Sequence, residues 1–113
     1  MLDAIERAQT TTCARYGHPF LGCQSDSILG VALHTLGRQP IHGLRHRPER
    51  ASNGWYIWAG EYSAAPDFFS PLHAAHLIEK APEVVNYLGF PPGCRFLLAD
   101  GHEDVWFDAS LLI

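Results

Sequence analysis

The run Asn53-Gly54-Trp55-Tyr56-Ile57-Trp58-Ala59-Gly60-Glu61 sets three large aromatic rings within four consecutive positions. In an extended strand, Trp55, Ile57 and Ala59 face one way and Tyr56 and Trp58 the other. Both faces of the element then carry rings. One face fills the core of a small domain. The other needs a cover or serves as a contact surface. Tyr56 belongs to either, depending on which face is covered. Asp67-Phe68-Phe69 adds two rings beside a carboxylate, and Glu103-Asp104-Val105-Trp106-Phe107-Asp108 repeats the pairing of acids with aromatics.

The chain is long enough for one domain, 113 residues, and its 47% hydrophobic content supports a buried core. A net charge of −4 argues against a nucleic-acid binder, which carries a basic face. The basic residues that do cluster, Arg38, Arg45, Arg47 and Arg50 with His42 and His46, read as a solvated hairpin edge in preference to a phosphate site. Met1-Leu2-Asp3-Ala4-Ile5-Glu6 shows no basic segment followed by an apolar run, and no stretch is long and apolar enough to cross a bilayer. A cytoplasmic location without membrane contact is expected. Cys13, Cys23 and Cys94 are an odd number without close spacing, which fits reduced thiols. Cys13 and Cys94 lie among apolar neighbours and read as small core residues.

The expected fold class is α+β: a mixed or antiparallel sheet of about five strands, with an N-terminal helix and a central helical pair packed on it. Leu2, Ile5, Thr12 or Cys13, and Tyr16 recur at roughly helical spacing, so residues 2–16 form an amphipathic helix that Gly17 and Pro19 stop. Residues 20–27 connect. Residues 28–35 alternate as a strand with Leu29, Val31, Leu33 and Thr35 on one face. Residues 36–39 turn, and residues 40–47 return. Ser70-Pro71 has the composition of a helix start, leading through Leu72, Ala75, Leu77 and Ile78 to Lys80. Pro82-Glu83 opens a second short helix that Gly89 closes. Asp100-Gly101 is a two-residue hairpin loop. Its register sets Ala99 opposite His102, Leu98 opposite Glu103, Leu97 opposite Asp104, Phe96 opposite Val105 and Arg95 opposite Trp106. Phe96, Leu98, Val105 and Phe107 then face the core, and Arg95 lies over the Trp106 indole.

The chemistry-bearing residues admit several readings. His73 and His76 share a helical face, yet zinc needs three or four ligands, and a half-buried surface pair is the simpler assignment. Cys23 with the histidines would serve a small hydrolase, but no nucleophile elbow surrounds it. Gly43, Gly54 and Gly60 are isolated turn or bulge glycines, with no phosphate loop. Paired carboxylates suit glycoside hydrolysis, which needs a groove that a chain this short scarcely forms. No catalytic residue, metal or cofactor is therefore expected. Acids beside aromatics match the composition of an interface, and Trp58, Glu61, Tyr62, Asp67, Asp104 and Trp106 are the expected partner contacts. The alternatives are a ligand- or metal-binding regulatory domain built on Arg45, His46 and Arg47, or the Cys23 hydrolase. Oligomeric state is left open.

Several segments carry a family likeness. They are Pro40-Ile41-His42-Gly43-Leu44-Arg45-His46-Arg47-Pro48-Glu49, Gly54 to Glu61, Pro66-Asp67-Phe68-Phe69-Ser70-Pro71-Leu72-His73, and Leu88-Gly89-Phe90-Pro91-Pro92-Gly93 with Arg95-Phe96-Leu97. With Glu103 to Asp108 and the helix end Cys13-Ala14-Arg15-Tyr16-Gly17, the sequence resembles the immunity-protein family numbered thirty-three along its whole length. Many members of that family have no assigned function. The resemblance implies a cytosolic antidote that binds and blocks a secreted bacterial toxin of a polymorphic toxin system. It implies no catalytic residue. Acids would steer association with a basic toxin cleft and aromatics would slow release.

Overall fold

The computed structural model describes residues 3–113. Asp100-Gly101 turns β5 (Cys94–Ala99) into β6 (His102–Phe107), with Gly101 at φ 71° where a turn favours glycine. The pairing runs Ala99 with His102, Leu98 with Glu103, Leu97 with Asp104, Phe96 with Val105 and Arg95 with Trp106, the register expected. Three further strands continue the sheet beyond β5: β1 (Ile28–Val31), β2 (Ile41–Arg45) and β3 (Ser52–Ala59). With β4 (Ser70–His73) the sheet has six strands in the order β4-β1-β3-β2-β5-β6. Only β1 and β3 pair in parallel, so the sheet is mixed.

The helical elements cover one face. α1 (Ala4–Arg15) starts on Asp3, whose carboxylate accepts the Glu6 amide at 2.8 Å. The expected start at Leu2 lies outside the described residues. Gly17, at φ 74°, ends α1: its amide reaches Ala14 and the His18 amide reaches Cys13, the paired bonds of a Schellman stop. α2 (Ala74–Lys80) and a 3-10 segment (Pro82–Tyr87) form the central helical pair. The resulting chain is a single α+β domain.

Period-two alternation in β3 builds the core. Trp55, Ile57 and Ala59 are buried with Leu29, Val31, Phe96, Leu77, Val84, Leu88 and Phe90. The Trp55 indole N–H donates to the Leu88 carbonyl at 3.0 Å, tying strand to helical layer. Cys13 and Cys94 are buried here as expected.

Four expectations are corrected. Residues 28–35 are not one strand: β1 ends at Val31, and Leu33–Thr35 is a 3-10 turn. The Thr35 hydroxyl donates to Ala32 and accepts the Ala59 amide, holding that turn against β3, while Leu33 is exposed. Ser70-Pro71 is edge strand, not helix start. Pro71 sits opposite Gly30, and its missing N–H is harmless on an edge. α2 begins only at Ala74, its first amides bonded to the carbonyls of Ser27 and Ser25. Phe107, near the end of the edge strand β6, is 52% exposed, so it is not core.

The fourth correction is Arg45. It is not on a solvated edge; it is 1% exposed on the core side of β2. Its guanidinium donates to the carbonyls of Asn53, Leu21, Phe90 and Gly22. A buried charge is tolerable when its fork of donors is satisfied in this way.

Candidate functional site

The face of the sheet opposite the helices is tiled by two rows of side chains. Strand register sets Trp58, His42, Leu97 and Asp104 in one row across β3, β2, β5 and β6. The second row is Tyr56, Leu44, Arg95 and Trp106. Three of the expected contact residues, Trp58, Asp104 and Trp106, thus share one face. Trp58 and Asp104 stand three strand spacings apart, about 14 Å.

One end of this face is covered. Residues 60–69 fold back so that Phe68 and Phe69 pack with Trp58, Ala32 and Leu44. Trp58 is consequently 5% exposed and cannot itself offer a large contact area. Its indole N–H is buried without a hydrogen-bond partner. Tyr62 stands over it, ring centroids 5.6 Å apart, and is 61% exposed. Glu61 and Asp67 flank Tyr62 around a shallow cleft of about 470 Å³ that His34, Thr35 and Arg38 complete. Tyr62 also borders an apolar cup of about 240 Å³ formed with Leu44, His46, Tyr56, Trp58 and Phe69.

The other end is open. Trp106 is 38% exposed, and the Arg95 guanidinium carbon lies 5.7 Å from its ring centroid. Arg95 also reaches the Asp108 carboxylate at 3.1 Å. Hydrogen bonds from Ser110 and Arg95 hold the Asp108 carboxyl below the ordinary carboxylate value. Asp104 has no side-chain hydrogen bond or ion pair among the described residues.

His42 occupies the middle. Its imidazole stacks on Trp58, centroids 4.9 Å apart at 17°. Burial and the nearby Arg95 charge pull its pKa below the ordinary 6.5, against a smaller opposing effect of the Gly60 backbone. Burial and that charge both favour the neutral form of the ring. His42, Leu44, Leu97 and Arg95 were not among the expected contacts. Alternation along residues 40–47 carries the signal for His42 and Leu44, which share a face at every second position.

Glu103 points to the other side, as its place in β6 requires. It accepts hydrogen bonds from Arg15 at 2.6 Å, from the Tyr16 hydroxyl at 2.8 Å and from the Tyr87 hydroxyl. These donors lower the Glu103 pKa, and burial with the Glu103 bond pushes Tyr87 up to about 12. This carboxylate fastens β6 to the helical layer and is committed within the fold.

The other candidate chemistries are dispersed. The rings of His73 and His76 lie 5.8 Å apart, edge to face. Among the described residues no group of three or more His, Cys, Asp and Glu side chains has metal-binding geometry. Burial raises the Cys23 thiol pKa. Cys94 lies 3.7 Å from His18 Nδ1, yet burial pushes its thiol up to about 11, the reverse of what a nucleophile needs. Arg45, anchor of the alternative ligand site, is taken up by the core. No helix among the described residues is long and apolar enough to cross a membrane.

The Imm33-like domain family matches residues 8–108, most of the chain. The chain belongs to that immunity-protein family. No curated protein and no solved structure matches it.

Proposed function

We propose that this Imm33-like chain is a non-enzymatic antidote that binds a cognate secreted bacterial toxin in the cytoplasm and blocks it. Family membership supplies the class of partner, a toxin. The observation that carries the choice of surface is the helix-free face of the sheet, with exposed aromatics and unpaired acids at both ends. Trp106 and Asp104 stand at one end; Tyr62, Glu61 and Asp67 stand at the other. Trp58 supports Tyr62 from below and contributes through that ring more than by direct contact.

The physical division of labour follows from exposure. Large aromatics anchored on a rigid sheet lose little conformational freedom on binding and provide contact area. Acids without internal partners steer a basic surface toward them and raise the association rate. The modest net charge of −4 leaves the toxin's chemistry open.

Co-expression with the toxin encoded beside this gene tests the reading. Survival of the host and a stoichiometric complex on co-purification are expected. Continued killing, with no complex between the purified proteins, overturns it.

A further inference from the structure

The two edges of the sheet differ. β4 is four residues long, contains Pro71 and runs directly into α2. Such an edge resists pairing with another chain. β6 is six residues long, HEDVWF, without Pro or Lys.

Hydrogen-bond phase identifies which backbone groups β6 leaves free. The Asp108 amide donates to the Gly93 carbonyl directly opposite, at 2.7 Å. Alternation in an antiparallel ladder then makes His102, Asp104 and Trp106 the residues bonded to β5. The N–H and C=O groups of Glu103, Val105 and Phe107 point away from the sheet. Among the described residues no hydrogen bond engages them. Exposed rings flank this row, Trp106 toward the open face and Phe107 toward the helical side.

Charge indicates the occupant. Residues 100–108 hold four acids and no Lys or Arg. Arg15 holds Glu103 and Arg95 holds Asp108, which leaves Asp100 and Asp104 uncompensated. A second copy of β6 would bring the same uncompensated acids to this edge and no Lys or Arg to meet them.

We propose that β6 accepts an extended segment of the toxin as a seventh strand, with a Lys or Arg near Asp104 and apolar side chains against Trp106 and Phe107. This mode of recognition, strand addition at a sheet edge, draws affinity from main-chain hydrogen bonds. It rests on the antidote reading and goes further by naming the segment's conformation and charge.

Hydrogen exchange on the intact protein, alone and with the purified neighbouring toxin, tests it without any substitution. The amides of Glu103, Val105 and Phe107 should slow strongly in the complex. Val105→Pro removes an amide the sheet does not use, so it should keep the far-UV spectrum and weaken toxin binding by at least about tenfold. A stable complex that leaves those three amides unchanged overturns the edge proposal and leaves the antidote reading intact. A toxin-free dimer that protects the same amides, with no added protection from toxin, assigns the edge to a second copy and also overturns it. No complex at all removes the proposal together with the reading beneath it.

Discussion

The guanidinium carbon of Arg45 lies 5.6 Å from the centroid of the Trp55 indole, and both side chains are sealed between sheet and helical layer. Among the described residues Arg45 has no carboxylate partner; four backbone carbonyls from three parts of the chain accept its N–H groups. Arg45→Ala removes a packed side chain and strands those acceptors in a dry site. A loss of about 3–5 kcal/mol in urea unfolding is expected. Arg45→Lys keeps the charge but not the planar fork, so it should recover only part of that loss. Wild-type stability for the Lys variant would contradict this account.

Gly54 has φ 91°, and a Cβ added there would sit 2.0 Å from the His46 carbonyl oxygen. The neighbour is backbone in the β2–β3 hairpin and cannot move aside. The His46 amide bonds to the Gly54 carbonyl at 2.8 Å, which fixes the approach. Gly54→Ala should cost roughly 3 kcal/mol or more, combining left-handed backbone strain with overpacking. Gly43→Ala meets the buried Phe96 ring, a side chain and not backbone, without a left-handed φ, and should cost less, about 1–3 kcal/mol. Thermal melts of the two variants side by side check the order.

The parts of this fold that were legible in the sequence are those set by short-range rules. Asp-Gly fixed the last hairpin's register residue by residue, because a two-residue loop leaves no slack. Alternation placed Trp55, Ile57 and Ala59 on the core side of β3. Ser70-Pro71 failed because the same pair serves a helix start and a sheet edge, and only tertiary pairing with β1 decides. Arg45 failed because charge patterns treat arginine as solvated, while carbonyls of Leu21, Gly22 and Phe90, far away in sequence, join that of Asn53 to make burial possible. Trp58 and Trp106 come to one face through the strand order β3-β2-β5-β6, which no local signal encodes. Burial of Trp58 by Phe68 and Phe69 was equally long-range.

Glu103 predicts an acid limb of stability. Its folded pKa lies below the ordinary 4.5 because Tyr87, Tyr16 and Arg15 donate to the carboxylate. A depressed carboxyl pKa means the unfolded chain binds the proton first as pH falls. The contribution is complete above pH 4.5 and fades as pH drops through the lower folded value. Tyr87 has the opposite sign: with a folded pKa of about 12 against 10, its contribution is intact below pH 10 and fades as pH rises through 12. Glu103→Gln should flatten the acid limb, and Tyr87→Phe the alkaline limb, in denaturation curves measured across pH. An acid limb unchanged in Glu103→Gln would remove the carboxylate from this role.

Cys94 is buried and its thiol is raised to about 11; Cys13 is buried and raised as well. Alkylation needs thiolate and access together. At pH 8 both should resist iodoacetamide in the folded protein and react once urea unfolds it. Mass spectrometry of modified peptides at intervals reads the rates. Rapid labelling of Cys94 under native conditions would show an opening that the fold does not contain.

Trp58 and Trp106 share a sheet face but should differ in what truncation costs, Trp58 chiefly in stability and Trp106 chiefly in binding. Trp58→Ala empties a packed site among Ala32, Phe68 and Leu44, so about 3–5 kcal/mol of stability should be lost. Trp106 is partly exposed, and Arg95 beneath it keeps Asp108 as a partner. Trp106→Ala should therefore cost about 1 kcal/mol or less of stability, within the range for exposed sites away from the core. On the antidote reading it weakens toxin binding by about 2 kcal/mol, roughly thirtyfold. Adding Asp104→Lys slows association most at low salt, because an uncompensated acid becomes a repelling base. Calorimetry and stopped-flow binding separate these effects. Full affinity in the Trp106→Ala, Asp104→Lys protein would place the toxin elsewhere, with Tyr62, Glu61 and Asp67 at the far end of the face as the next substitutions.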